Sequence, residues 1–309
     1  MNLKYQKMKT IFLIIFLTLF MQLSAQQRFD IPHEKFKDYW YAGKAEIANY
    51  DLKQARYGDI HDGRAVLIFV TEDFSKSKHV KLDNPGQNPD DAVKVMKLNF
   101  TKKFMTGIYP YSMMTSVFTP VEVENYPLAL KLTTSSQEWC GHTFTQANLR
   151  NDRYLVKEFS YFEKEGDKIY QLEDVMMEDD IWNLIRINPN KLPLGEVTMI
   201  PSTLTARLKH YELNEERVFA KFTDEFSGDG LLTYSIEYKN MDRKLKITFR
   251  KEFPFEIESW EEIYFASWNG EREKFVTEGV INKRIQSDYW NKNRLKDLDY
   301  RDKLNLPKH

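Results

Sequence analysis

The stretch at residues 231–250, LLTYSIEYKNMDRKLKITFR, decides how the chain is read. Leu232, Tyr234, Ile236 and Tyr238 alternate with Thr233, Ser235, Glu237 and Lys239. After a tight turn at 240–243 the alternation resumes, with Leu245, Ile247 and Phe249 set against Lys244, Lys246, Thr248 and Arg250. A period of two sends successive side chains to opposite faces of a strand. The segment is therefore predicted to be an antiparallel hairpin with one apolar and one wet face. Upstream, residues 197–208 and 218–222 read as two more strands, with the SGDG run at 227–230 as a turn. Downstream, Asn269-Gly270 should join strands at roughly 255–267 and 273–285, because the turn type Asn-Gly favours matches the twist of paired strands. Ser287 is expected to cap a last helix at 288–300.

The N-terminal half extends the same pattern. Residues 41–57 form a strand with Ile47, Tyr50, Leu52 and Tyr57 as inward contacts, and His61-Asp62-Gly63 reads as a hairpin turn. The unbroken apolar run RAVLIFVT at 64–71 is predicted to be a central strand covered on both faces. Residues 76–91, with Asn84-Pro85-Gly86 and Asn88-Pro89, are a loop. Strand signals return at Val93. The run TGIYPYS at 106–112 places Tyr109 and Tyr111 around Pro110, which suggests a kinked edge strand or a tyrosine-lined ligand mouth, since tyrosine offers both ring and hydroxyl. Residues 131–150 and 153–163 read as partner strands, and Glu165-Gly166-Asp167 turns the chain into 168–172. Glu173, Asp174, Glu178, Asp179 and Asp180 precede IWNLIRI; acids are favoured in a helix's first turn by its dipole, so a short helix is expected at 178–187, ended by Asn188-Pro189-Asn190. The sum is an all-β, mostly antiparallel chain. It reads as one curved or barrel-like sheet with one or two short helices, forming a single domain over 26–309.

The first 25 residues read as an export signal. Lys4, Lys7 and Lys9 precede a run at 11–21 that is apolar except for Thr18, and Leu23-Ser24-Ala25 offers a small-residue cleavage site before Gln26. The apolar run is short of the roughly 20 residues a membrane span needs. Cleavage there removes three lysines and no acid, taking the formal charge from −1 to −4, and leaves no transmembrane span. So mild an acidic balance gives no reason to expect nucleic acid as a partner, which calls for a clustered basic face. The expected location is the periplasm or cell envelope, or outside the cell. A single cysteine excludes an internal disulfide.

The densest group of reactive side chains is in the stretch 131–150, KLTTSSQEWCGHTFTQANLR. If it is one strand, Glu138, Cys140 and His142 project to one side. Thiolate, imidazole and carboxylate are all zinc ligands, so a metal- or thiol-dependent hydrolase is one expectation, with zinc as its cofactor. A buried structural cysteine is the other. Gly141 either opens room beside the pair or marks a bulge. Elsewhere there is no Gly-x-Ser-x-Gly elbow, no His-Glu-x-x-His and no phosphate-cradling glycine loop.

The runs ARYGDIHDGRAVLIFVTEDFS at 55–75, TGIYPYSMMTS at 106–116, SSQEWCGHTF at 135–144, SYFEKEGD at 160–167 and LPLGE at 192–196 resemble a group of exported bacterial proteins of unknown function, some of which carry the label septum formation inhibitor Maf. The resemblance implies export and no particular activity. The Ser-x-Ser-Pro-Arg-Arg loop of the Maf nucleotide pyrophosphatases is not in this sequence. Aromatic richness without a catalytic motif points to binding rather than catalysis: a curved sheet offering an aromatic-lined concavity to a lipid, glycan or peptide, with Tyr109, Tyr111 and Trp139 as the contacts.

Overall fold

The computed structural model describes residues 29–223, 230–268 and 271–308. Within them fifteen strands form one sheet in the order β8-β7-β6-β5-β4-β3-β2-β1-β15-β14-β13-β12-β11-β10-β9, which does not close. The strands are β1 (Ala45–Arg56), β2 (Asp59–Ser75), β3 (Ala92–Thr106), β4 (Tyr109–Pro120), β5 (Lys131–Glu138), β6 (Gly141–Arg150), β7 (Arg153–Ser160), β8 (Lys168–Glu173), β9 (Met176–Met177), β10 (Gly195–Ile200), β11 (Glu216–Thr223), β12 (Leu231–Tyr238), β13 (Arg243–Arg250), β14 (Ile257–Trp268) and β15 (Glu271–Ser287). Every pairing is antiparallel except the short β9–β10 contact. The all-β expectation holds. The run at 64–71 lies within β2, next to β1 at the middle of the order.

The hairpin at 231–250 forms as β12 and β13, pairing from Leu231↔Arg250 to Tyr238↔Arg243. Its second face is not wet throughout: Thr233 and Ser235 are buried, and Thr233 and Thr248 share a 2.8 Å hydroxyl hydrogen bond.

Among the described residues four helices accompany the sheet: α1 (His33–Trp40), α2 (Ile181–Ile187), α3 (Thr203–Lys209) and α4 (Tyr300–Lys303). Every residue of α2 is buried. The helix occupies the hollow of the curled sheet, where Trp182 meets Phe100 and Trp260 edge-on at 5.1 and 5.5 Å. Asn183 Nδ2 donates to the carbonyls of Met96 and Val117, and Arg186 donates twice to Glu46 on β1, at 2.6 and 2.5 Å. The concavity expected to receive a ligand is therefore filled by the chain's own helix.

The three acids before α2 form a 3-10 turn, and all are buried. They do not cap α2. Glu178 accepts from Arg243 on β13, and Asp180 accepts from the Thr119 hydroxyl and from Ala129 N. Asp179 accepts from Thr203 N at 2.9 Å and from the Ser202 and Thr203 hydroxyls, so it caps α3.

Other expectations shift for identifiable reasons. The turn near residue 60 is Tyr57-Gly58, whereas His61-Asp62-Gly63 lies inside β2. A Cβ on Gly63 would fall 2.5 Å from the Lys103 carbonyl, so this glycine serves a close backbone approach. Pro110 is not on an edge strand. It sits at the start of β4, beyond the β4–β5 pairing that begins at Ser112↔Gln137, where its missing N–H costs no ladder bond. The expected strand at 197–208 ends at Ile200 and becomes α3, which Asp179 starts from far along the chain. The expected helix at 288–300 is a pair of 3-10 turns followed by α4. This C-terminal run covers the outer face of β1, β2 and β15, where Leu304 packs with Ala45, Ile47 and Val70. The expected turn at 227–230 falls mostly outside the described residues, and the signal segment and the Asn269-Gly270 turn fall wholly outside them; β14 and β15 pair up to Trp268↔Glu271. No described helix is long and apolar enough to cross a membrane.

Candidate functional site

The antiparallel registers bring the turns at 57–58, 107–108, 139–140 and 161–167 to one end of the sheet. The segment carrying α3 enters at this same end. Arg56 donates to the Leu208 carbonyl, Arg207 lies 3.6 Å from Glu138, and His210 meets Glu165 at 2.5 Å. These contacts tie the end of α3 to three hairpins. We call this end the mouth.

At the mouth, residues 131–150 are not one strand but the hairpin β5–β6, with Trp139-Cys140 as its two-residue turn. The pairing Glu138↔Gly141 and Gln137↔His142 puts Glu138 inward and His142 outward, so the three candidate side chains do not share a side. The Glu138 side chain is 2 % exposed, bound to Arg207 and accepting from Cys140 N at 2.6 Å. Cys140 is an exposed thiol rather than a buried one. A hydrogen bond to the Glu138 carboxylate, and then that group's charge, push the thiol above its usual range, which disfavours the thiolate. Among the described residues no group of three or more His, Cys, Asp and Glu side chains is placed to hold a metal ion. The space over Gly141 is taken by Tyr161, whose ring would lie 2.7 Å from an added Cβ.

The three aromatic candidates do come together. Tyr109 and Tyr111 project from the same face of β4, and the Tyr109 and Trp139 rings lie 6.4 Å apart. Tyr109 donates to the Tyr57 hydroxyl at 3.2 Å, and the Tyr57 and Tyr111 hydroxyls are 2.8 Å apart. Arg56 donates to both Tyr57 and Tyr111 at 3.3 Å, with its guanidinium 4.3 Å from the centre of the Tyr57 ring. Tyr57 holds a left-handed backbone, φ 55°, a conformation costly for a bulky residue and concentrated at functional positions. Burial raises the Tyr57 hydroxyl pKa, but hydrogen bonds from Tyr109, Tyr111 and Arg56 outweigh it and leave it lowered.

Cavities surround the C-terminal end of α3. One of about 390 Å³ is bordered by Thr143, Phe162, Arg207, His210 and Tyr211. A second, of about 240 Å³, lies between α3 and the strands β1, β14 and β15, with Arg56, Leu208, Lys209, Tyr264 and Phe275 around it. In the first, Arg207 stacks 4.4 Å from the centre of Phe162. Burial raises the Glu165 pKa, but hydrogen bonds from Ser160 and His210 and the charge of Arg207 hold it low overall. In the second, burial lowers the Lys209 pKa to about 8.

Tyr109, Tyr111 and Trp139, singled out from the sequence, thus lie together at the mouth, beside Arg56, Tyr57, Arg207, His210 and Glu165, which the sequence did not single out. Tyrosine at or beside three turns, Tyr57 and Tyr161 within them and Tyr109 just after one, was the available signal; turn positions ordinarily carry Gly, Asn, Asp or Pro. His210 gave none, because its position depends on α3. The chain was compared with models of known protein families, with curated proteins and with solved structures, and it matches none of them.

Proposed function

We propose that this chain is an exported envelope protein that binds a lipid, glycan or peptide at the mouth of its curled sheet. One observation carries the proposal: the hydroxyls of Tyr57, Tyr109 and Tyr111 converge beside Arg56, with Trp139 flanking them, and Arg56 and Tyr57 border the 240 Å³ cavity beside α3. A concave site of rings with a few convergent polar groups is the usual form of a ligand pocket. Trp139 and Tyr161 are 69 and 72 % exposed, which supplies apolar area to a partner and none to the core. With α2 filling the hollow, the binding site belongs to the mouth rather than to the length of the sheet. Export is supported by the sequence pattern of the first 25 residues.

The alternative, a hydrolase centred on Cys140 and His142, gains no support from side chains that face apart and a thiol held protonated. The test is to purify the chain from an envelope fraction, extract it with organic solvent, and examine the native protein by mass spectrometry. A bound species that is released by Trp139→Ala or Tyr109→Ala is the expected result. A ligand-free protein that also ignores lipids, glycans and peptides in titration sinks the proposal.

A further inference from the structure

The 240 Å³ cavity beside α3 carries a charge surplus that the fold does not balance. Deeper in, Arg243 donates to Glu178 and Glu262, and buried Lys102 feels Glu262, Asp179 and Glu178, so two cations face three carboxyls, of which Asp179 is raised by burial to about 6. Arg56 and Lys209 remain. Neither has a carboxylate within salt-bridge distance among the described residues, and both are half-buried. Arg56 is held by neutral oxygens, the Leu208 carbonyl and two tyrosine hydroxyls, and its buried Nε has no partner. Lys209 sits over the face of Tyr264, where it is attracted by Glu262 and repelled by Arg56 across the cavity. Burying like charges without a counterion is costly. The bond to Leu208 explains where Arg56 is, since a cation suits a helix C-terminus, but it does not explain a second cation facing it. The remaining wall mixes apolar Leu208, Tyr264 and Phe275 with polar Gln54, Thr205 and Thr277 and with the Glu262 carboxylate, which Arg243 already pairs.

We infer that the ligand of the mouth is an anionic amphiphile, a phosphate or carboxylate head joined to an apolar body, with Arg56 and Lys209 binding the head and the aromatic rim the body. The inference rests on the mouth being a binding site and adds the ligand's charge. Arg56 offers a planar fork suited to two oxygens, and Lys209 a point charge.

Isothermal titration of the intact protein with dodecyl phosphate, dodecanoate, dodecyl maltoside and inorganic phosphate, each below its critical micelle concentration where it has one, tests this. Dodecyl phosphate or dodecanoate should bind at least tenfold tighter than dodecyl maltoside. Lys209→Gln should weaken the anionic probe about tenfold, close to 1.4 kcal/mol, and leave the maltoside unchanged. Among the described residues Lys209 contacts the Tyr264 ring and donates no hydrogen bond, so this variant should keep its structure; Arg56→Gln, checked by thermal melting, is the second. Which anionic head binds tighter distinguishes phosphate from carboxylate ligands. Equal binding of charged and neutral probes overturns the inference while leaving a binding mouth intact. Inorganic phosphate binding as tightly as dodecyl phosphate overturns the amphiphile. A protein that binds none of the four overturns the inference, and the wider binding function then stands or falls on the extraction experiment.

Discussion

Glu178, Asp179 and Asp180 are adjacent in sequence yet are neutralised in different ways. Glu178 has Arg243 as a partner, whereas Asp179 and Asp180 have only hydroxyls and backbone N–H groups. Burial raises their pKa values to about 6 and about 7, against the hydrogen bonds they accept. A carboxyl raised in the folded state binds protons more tightly there than in the unfolded chain, so its contribution to stability is complete below about pH 4 and is lost as pH rises through 7. Buried His79, lowered to about 4 by burial and then by Arg150 and Lys131, contributes in the opposite direction, gaining stability between about pH 4 and 6.5. The net profile therefore mixes signs, and the Asp180 part is isolated by comparison with Asp180→Asn. Urea midpoints at pH 5 and pH 8 should fall less for the variant than for the parent, by on the order of 1–3 kcal/mol; parallel profiles would show that Asp180 titrates normally. Arg186 and Glu46 are the converse case, both fully buried and joined by two hydrogen bonds. Arg186→Met should cost about 3–5 kcal/mol by leaving Glu46 without its main partner. Adding Glu46→Gln should cost less than the separate losses combined, as denaturant unfolding of the four proteins would reveal. The acids were legible as the start of a helix because dipole and propensity are local. Their burial was not, because each partner comes from a distant strand.

Strands were the most legible elements, since a period of two survives whatever surrounds it. The hairpin at 231–250, the run in β2 and the Glu165-Gly166-Asp167 turn all follow from residues within a few positions of one another. Turns and the third helix were less so. Gly63 and Gly141 read as turn or open space, yet both are places where another group lies on the backbone, which only the register between strands decides. Glycines of this kind should differ in cost according to what covers them. At Gly279 an added Cβ would come within 2.2 Å of the Trp260 ring, which is buried against Tyr50, Phe100 and Trp182. Gly279→Ala must displace a packed indole and should destabilise by about 1–3 kcal/mol. At Gly141 the obstacle is Tyr161, whose largely exposed ring can swing away but whose Cβ, 2.9 Å from the added one, must shift with its exposed turn, so Gly141→Ala should cost less than Gly279→Ala, about 1 kcal/mol, while altering the aromatic rim. Thermal melts of the two variants would settle the order; equal costs would mean that Tyr161 is held as tightly as Trp260. The helix α3 was lost to a strand reading because Asp179, its cap, lies 24 positions before Thr203.

A sheet of fifteen strands that does not close leaves two edges and two faces to cover, and the chain uses its irregular segments for this. Residues 212–215 bridge toward the β8 edge, where Glu215 accepts from Glu173 N at 2.6 Å and Glu212 meets Lys168. Helix α2 fills the hollow, and the C-terminal run covers the outer face at the sheet's centre. The candidate site follows from the same arrangement: α3 enters at the mouth as a plug and leaves cavities around its C-terminal end. Aromatic content pointed to Tyr109, Tyr111 and Trp139 but not to the cations, because Arg56 and Lys209 meet only once the sheet has curled around α3. The outer covering should be part of the same folding unit as the sheet. Leu304 packs against Ala45, Ile47 and Val70 on β1 and β2, and its carbonyl accepts from the buried Asn49 side chain at 2.8 Å. Removing its side chain loses about 2–4 kcal/mol of burial and packing. If the run and the sheet unfold together, Leu304→Ala lowers the midpoint of a single urea transition by that amount. If the run is instead an independent cover, the sheet's midpoint stays where it was and only the protease resistance of residues 288–308 is lost, because the opening is then local rather than global.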